Sequence, residues 1–153
     1  MGVLDCASGA SVWKGYYYYK DKKVLSLEEI EPNVFTAEVA GSAEQPYSVV
    51  LNVPHPRKSK CNCPHANGKR IMCKHIVAAY FTQFPLEAEN LYADAMAYQA
   101  EEEERQEELT DRVIQYVYKM KKSELQETLL DLLFTGSERQ FAWFVDSAGI
   151  ELE

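Results

Sequence analysis

Residues 45–86 contain no aspartate and no glutamate. Nowhere does an apolar run approach the length of a membrane span. No basic segment followed by an apolar stretch stands near the start, so no export signal is expected. The chain has no Gly-x-Ser-x-Gly elbow, no phosphate-binding glycine loop and no His-Glu-x-x-His pair. That removes the usual sequence grounds for a hydrolase. Cysteine is scarce too, and only Cys6 lies outside one short stretch. At 153 residues the chain fits one domain, or one small domain with an appendage.

What fills the carboxylate-free window is basic: Arg57, Lys58, Lys60, Lys69, Arg70, Lys74 and all three histidines. The net charge of −8 therefore divides unevenly. Residues 1–85 hold ten Lys/Arg against seven Asp/Glu, and residues 86–153 hold six against seventeen, so +3 and −11 make up the total. A basic patch is the electrostatic footprint of a nucleic-acid binder. The competing reading is a solvated basic loop that shields an anionic centre.

That centre lies in residues 61–75. Cys61 and Cys63 form a Cys-x-Cys pair, and Cys73 and His75 form a Cys-x-His pair. Pro64, Asn67 and Gly68 between them are turn formers. Two close ligand pairs joined by a turn can wrap a tetrahedral ion, and three thiolates with one imidazole are a closed zinc set. A disulfide framework would use the even cysteine count, but a reducing compartment and the strain of a Cys-x-Cys bridge oppose it. An iron–sulfur cluster prefers four thiolates, which His75 contradicts. A Cys–His catalytic dyad leaves two further thiols without a purpose. Four protein ligands also leave no open position for a catalytic water. His65, two residues past Cys63, is expected beside the metal or in solvent, and His55, between Pro54 and Pro56, in an exposed loop.

These residues resemble the SWIM zinc-finger family, whose signature is Cys-x-Cys, a spacer and Cys-x-His. Pro64 directly after the second cysteine, and the run Cys73-Lys74-His75-Ile76-Val77-Ala78-Ala79, extend the likeness. Upstream, residues 15–19, 24–27, 37–42 and 47–51 resemble the segment before the finger in bacterial members. The resemblance implies one structural Zn2+ and a short free-standing module that contacts DNA or protein. Family members occur fused to helicase-like ATPases and to Mutator-type transposases, so such an ATPase is one implied partner.

Along the chain, residues 1–10 are small and polar and read as a loose leader. Residues 11–20 carry four consecutive tyrosines, 16–19. Strand propensity competes with a helix capped by Ser11, and the resemblance favours the helix, with Gly15 as its weak point. The tyrosines suit a core better than a base-stacking platform. Residues 23–31, 35–40 and 47–53 alternate between turn signals and predict an antiparallel meander. Leu25 and Leu27, then Phe35, Ala37 and Val39, then Tyr47, Val49, Leu51 and Val53 supply its apolar face, with the 11–20 segment and a helix after Cys73 as lids. That helix carries Val77, Tyr80, Phe81 and Phe84 on one face and ends before Pro85. Beyond lie a Glu/Ala-rich helix over 87–108 with a solvated acidic block at 101–104, a stripe over 110–122, and two helices opened by capping boxes at Ser123 and Ser137.

The expected fold is α+β: a small antiparallel meander with a strand–knuckle–helix finger over 1–85, then an acidic α-helical region over 86–153 read as a small bundle. The expected function is non-enzymatic and cytoplasmic, with no membrane and no small-molecule substrate. Cys61, Cys63, Cys73 and His75 hold one zinc. Arg57, Lys58, Lys60, Lys69, Arg70 and Lys74 meet phosphates of DNA. The alternative is a protein–protein adapter working through the acidic tail, with the finger a structural staple.

Overall fold

A computed structural model of the chain describes residues 2–150; Met1 and the last three residues of the acidic region lie outside it. The chain falls into two units, one ending at Met96 and the other beginning at Ala97. The expected boundary after Pro85 sits instead at the start of a continuous helix.

The first unit is a four-stranded antiparallel sheet covered by helices. Strands β1 (Val24–Glu31), β2 (Val34–Val39), β3 (Tyr47–Asn52) and β4 (Lys60–Cys61) lie in sequential order. β2 and β3 pair without slippage from Val34↔Asn52 to Val39↔Tyr47. Their alternation is realised as read, with Phe35, Ala37, Val39, Tyr47, Val49 and Leu51 all buried. β1 departs from expectation. Its pairing shifts between Val24 and Ser26, and such an extra residue flips the faces beyond it. Val24 and Leu27 consequently pack on the core, while Leu25 points outward at 60% exposure.

Helix α1 (Gly9–Lys20) is capped by Ser8, whose side chain accepts from the N–H of Ser11 at 3.2 Å. The helix therefore begins earlier than the expected Ser11 cap. Nor is the leader loose. Val3 is almost fully buried, residues 4–6 form a short 3-10 turn, and Ala7 bridges Met72. Of the four tyrosines, Tyr16 is buried, Tyr18 and Tyr19 are half-buried and Tyr17 is exposed, in line with a packing role.

Helix α2 (Lys74–Gln83) packs on β1, β2 and β3, and α1 packs on α2 rather than on the sheet. The layers run sheet, α2, α1. A helix in a middle layer must be apolar all round, and Ile76, Val77, Ala78, Ala79 and Phe81 are all fully buried. Gly15 is required at the α1–α2 crossing. A Cβ there would stand 2.5 Å from the Cβ of Val77 and 3.0 Å from the Lys74 carbonyl oxygen. Gly15→Ala should therefore cost about 1–3 kcal/mol through overpacking, despite alanine's better helix propensity. Gly9, with open space where its Cβ would go, is the control. Thermal melts of the two zinc-loaded variants check this, and a Gly15→Ala melt matching that of Gly9→Ala would refute the close-approach argument.

Helix α3 (Pro85–Lys119) starts on the proline that stops α2. Its first turns belong to this unit: Ala88 is buried, and Tyr92 stacks on Tyr16 at 5.7 Å and 3°. The two stretches expected over 87–108 and 110–122 are one helix, because nothing between them breaks it.

In the second unit the rest of α3 is followed by α4 (Lys122–Thr135) and α5 (Glu138–Ala148). The capping box at Ser137 forms as read: its N–H donates to Gln140 at 3.0 Å and its hydroxyl accepts from the Gln140 N–H at 3.3 Å. Gly149 ends α5 in the left-handed region at φ 63°. The box at Ser123 does not form. α4 starts two residues sooner, with Lys121 in the cap position, and Glu124 reaches back to the N–H of Lys121 at 2.9 Å. Among the described residues from 97 onward none is buried, so these helices do not make the packed bundle expected. No helix among the described residues is long and apolar enough to cross a membrane.

Candidate metal centre

Cys61 sits at the end of β4, held to β3 by the pairings Val49↔Cys61 and Val50↔Lys60. Asn62 fastens the turn that follows: its Oδ1 accepts from the Ser48 N–H at 2.9 Å, and its own N–H donates to the Ser48 carbonyl at 3.2 Å. The Cys63 N–H points at the Cys61 sulfur at 3.4 Å. The Cys63 carbonyl accepts from Ala66 and Asn67, which closes the knuckle. Cys73 is the N-cap of α2, and His75 lies in the first turn of that helix. One pair thus comes from the sheet edge and the other from the middle-layer helix.

The four donor atoms lie within 4.8 Å of one another, and all four residues are buried. His75 Nδ1 is 3.7 Å from the Cys61 sulfur and 3.9 Å from the Cys73 sulfur. A tetrahedral zinc with ordinary bond lengths has S···N edges of about 3.6 Å and S···S edges of about 3.8 Å. The constellation fits, with Nδ1 as the ligating nitrogen, and the four residues are positioned to bind one zinc ion. The cysteines are free thiols, so the disulfide reading is excluded. His65 is exposed and outside the ligand set, and His55 is exposed at the start of a short 3-10 turn over Pro56–Lys58.

The imidazole is fixed by two tyrosines that the sequence reading assigned only to packing. Tyr47 lies at 4.6 Å and 31°, Tyr18 at 5.4 Å and nearly edge-on. Nε2 is buried and has no hydrogen-bond partner among the described residues. Packing, not a second hydrogen bond, orients this ligand. Gly41 lets the Tyr47 ring in, since a Cβ there would overlap it.

Charge explains what an ion does here. Hydrogen bonding to Cys73, then burial, pushes the Cys61 thiol far up. The Cys73 thiol is pulled down to about 4, first by the hydrogen bond from Cys61 and then, against burial, by His75 and the N–H groups that open α2. Two adjacent buried sulfurs cannot both ionise without a cation, so Cys61 keeps the proton until a divalent ion displaces it. Zinc binding should therefore release protons and weaken as pH falls. The expected loss is about tenfold per pH unit for the Cys61 proton alone. Competition against a zinc indicator between pH 7.5 and 6.5 measures it, and a flat affinity would show that Cys61 is not a ligand.

The basic residues do not all gather in one place. Arg57, Lys58, Lys60, Lys69 and Arg70 line one groove of about 920 Å3 beside β4, with Ser48, Asn62, Asn67 and Gly68. No carboxylate and no aromatic ring lines it. A smaller cavity of about 460 Å3 shares Arg57, Ser59 and Arg70 and adds Asp5 and Cys6. Lys74 stands apart. Its ammonium sits 4.3 Å over the Tyr18 ring, and it lines a different cavity with Lys14 and His65. Ser48, Asn62 and Asn67 were missed in the sequence, since nothing in a lone polar residue marks it as lining a groove.

Residues 47–83, from β3 to the end of α2, match the family model of the SWIM zinc finger. No curated protein matches the chain. No solved structure matches it either.

Proposed function

We propose that the protein is a non-catalytic, cytoplasmic zinc module that binds nucleic acid through the groove beside β4. Zinc has a structural role in this reading, because protein side chains fill all four positions and leave none for water. The observation that carries the reading is the convergence of Arg57, Lys58, Lys60, Lys69 and Arg70 on one groove without a carboxylate in its lining. Such cations meet phosphates and set position, not sequence. The absence of an aromatic ring in the groove speaks against base stacking. Duplex DNA, contacted along its backbone without sequence preference, is the ligand the groove suits best. Anisotropy titrations of duplex DNA, single-stranded DNA and RNA at two salt concentrations test this. Duplex binding that weakens with salt is expected, and no binding to any of the three would reduce the basic patch to a shield for the anionic zinc site.

A further inference from the structure

Two basic recesses flank the metal centre. The groove beside β4 touches Cys61 and residues 66–70 of the knuckle. A cavity of about 320 Å3 touches the other three ligands, Cys63, Cys73 and His75, together with His65 of the knuckle. The two recesses share no lining residue, yet they meet at the consecutive residues His65 and Ala66. The knuckle therefore stands between them as a ridge, with the metal ligands at its foot.

No carboxylate lines the second recess either. Its cationic side chains come from three places in the fold: Lys14 from α1, Lys74 from the first turn of α2 and His65 from the knuckle. Neither lysine belongs to an ion pair among the described residues. The Lys74 ammonium is steadied 4.3 Å over the Tyr18 ring. Shielding the metal centre does not account for them. Three thiolates around a divalent ion leave one negative charge. Lys14 and Lys74 alone exceed it, before Arg57, Lys58, Lys60, Lys69 and Arg70 of the groove are counted.

Cations on both sides of a ridge suit two phosphate rows, and two rows border each groove of a duplex. A single strand offers one row. We infer that duplex DNA straddles the metal centre. One backbone lies in the groove beside β4, the other lies against Lys14, His65 and Lys74, and residues 64–70 enter the duplex groove between them. This rests on the nucleic-acid reading and adds to it a second phosphate site and a physical ground for preferring double to single strands.

The test is the salt dependence of binding by the full, zinc-loaded chain to a duplex and to one of its single strands, with Lys14→Gln and Lys74→Gln combined. Each phosphate contact contributes about 0.9 to the slope of log K against log salt on a duplex and about 0.7 on a single strand. The double variant should flatten the duplex slope by about 1.8 and leave the single-strand slope within about half a unit. Lys60→Glu with Arg70→Glu should flatten both, because either ligand uses the groove beside β4. A duplex slope that the lysine variant leaves unmoved would overturn the inference, and a weakened zinc affinity beside it would mark Lys14 and Lys74 as a shield. Equal flattening on duplex and single strand would overturn it too, since one strand would then run through both recesses. A native chain that binds no duplex removes the nucleic-acid reading itself, and the missing native slope tells that failure from the other two.

Discussion

Replacing Cys73 by serine should abolish zinc binding and, with it, the fold of the unit that ends at Met96. The reason is where the ligands sit. Cys61 closes β4, a strand of two residues tied to β3 by two pairings. Cys73 opens α2, the middle layer on which both the sheet and α1 pack. The ion is the link between sheet edge and helix start, so its loss acts on the whole core rather than on one loop. Structural zinc in small domains contributes on the order of 10 kcal/mol, comparable with the whole stability of a typical domain, about 5–15 kcal/mol. The serine variant, and the native chain in chelator, should both lose the cooperative thermal transition of this unit. Near-ultraviolet circular dichroism reports it well, since Tyr16, Tyr18 and Tyr47 are held by this packing. An unchanged melt in a chain shown to be metal-free would mean that the sheet and helices stand without the ion.

The metal centre was legible in the sequence because its signal is local. Two ligand pairs at fixed spacing around a turn specify a tetrahedral site whatever surrounds them. Alternation in β2 and β3 was legible for a similar reason, since a strand with one buried face writes a period of two into its residues. Three features were not. The bulge in β1 adds a residue that leaves no mark of its own, so Leu25 was read inward and lies outward. The order of layers is a tertiary fact. α2 and α1 both read as lids for the sheet, and only the turn 76–79 of α2, apolar on every side, with Gly15 facing Val77, tells that α2 lies between. The separation of Lys74 from the other cations follows from its place in the first turn of α2, where its stem turns toward Tyr18 and away from β4. The helical region misled in the opposite direction. Its apolar periodicity is real, and periodicity was read as mutual packing, whereas the helices leave those faces open.

Reversing Lys60 and Arg70 to glutamate should all but remove duplex binding at moderate salt. Both residues line the groove beside β4, in company with Arg57, Lys58 and Lys69. If all five neutralise phosphates, the slope of log K against log salt is about −4.5, and affinity falls about 500-fold between 50 and 200 mM. Removing two contacts should flatten the slope by about 2, and the two new carboxylates repel phosphate as well, so the loss at ~0.1 M salt should reach about a hundredfold or more. Zinc content should stay at its native level, because neither side chain is a ligand and both are exposed. Lys74→Glu is the discriminating control. It lies over Tyr18 and outside the groove, so it should leave the slope within about one unit of the native value. If Lys74→Glu flattens the slope while the double reversal does not, the phosphates run past the cavity lined by Lys14, His65 and Lys74, and the interface moves to that side. If the native chain shows no slope because it binds no duplex, the finger is a staple for the fold. The adapter reading then moves ahead, with the acidic helical region beyond Ala97 as its working surface.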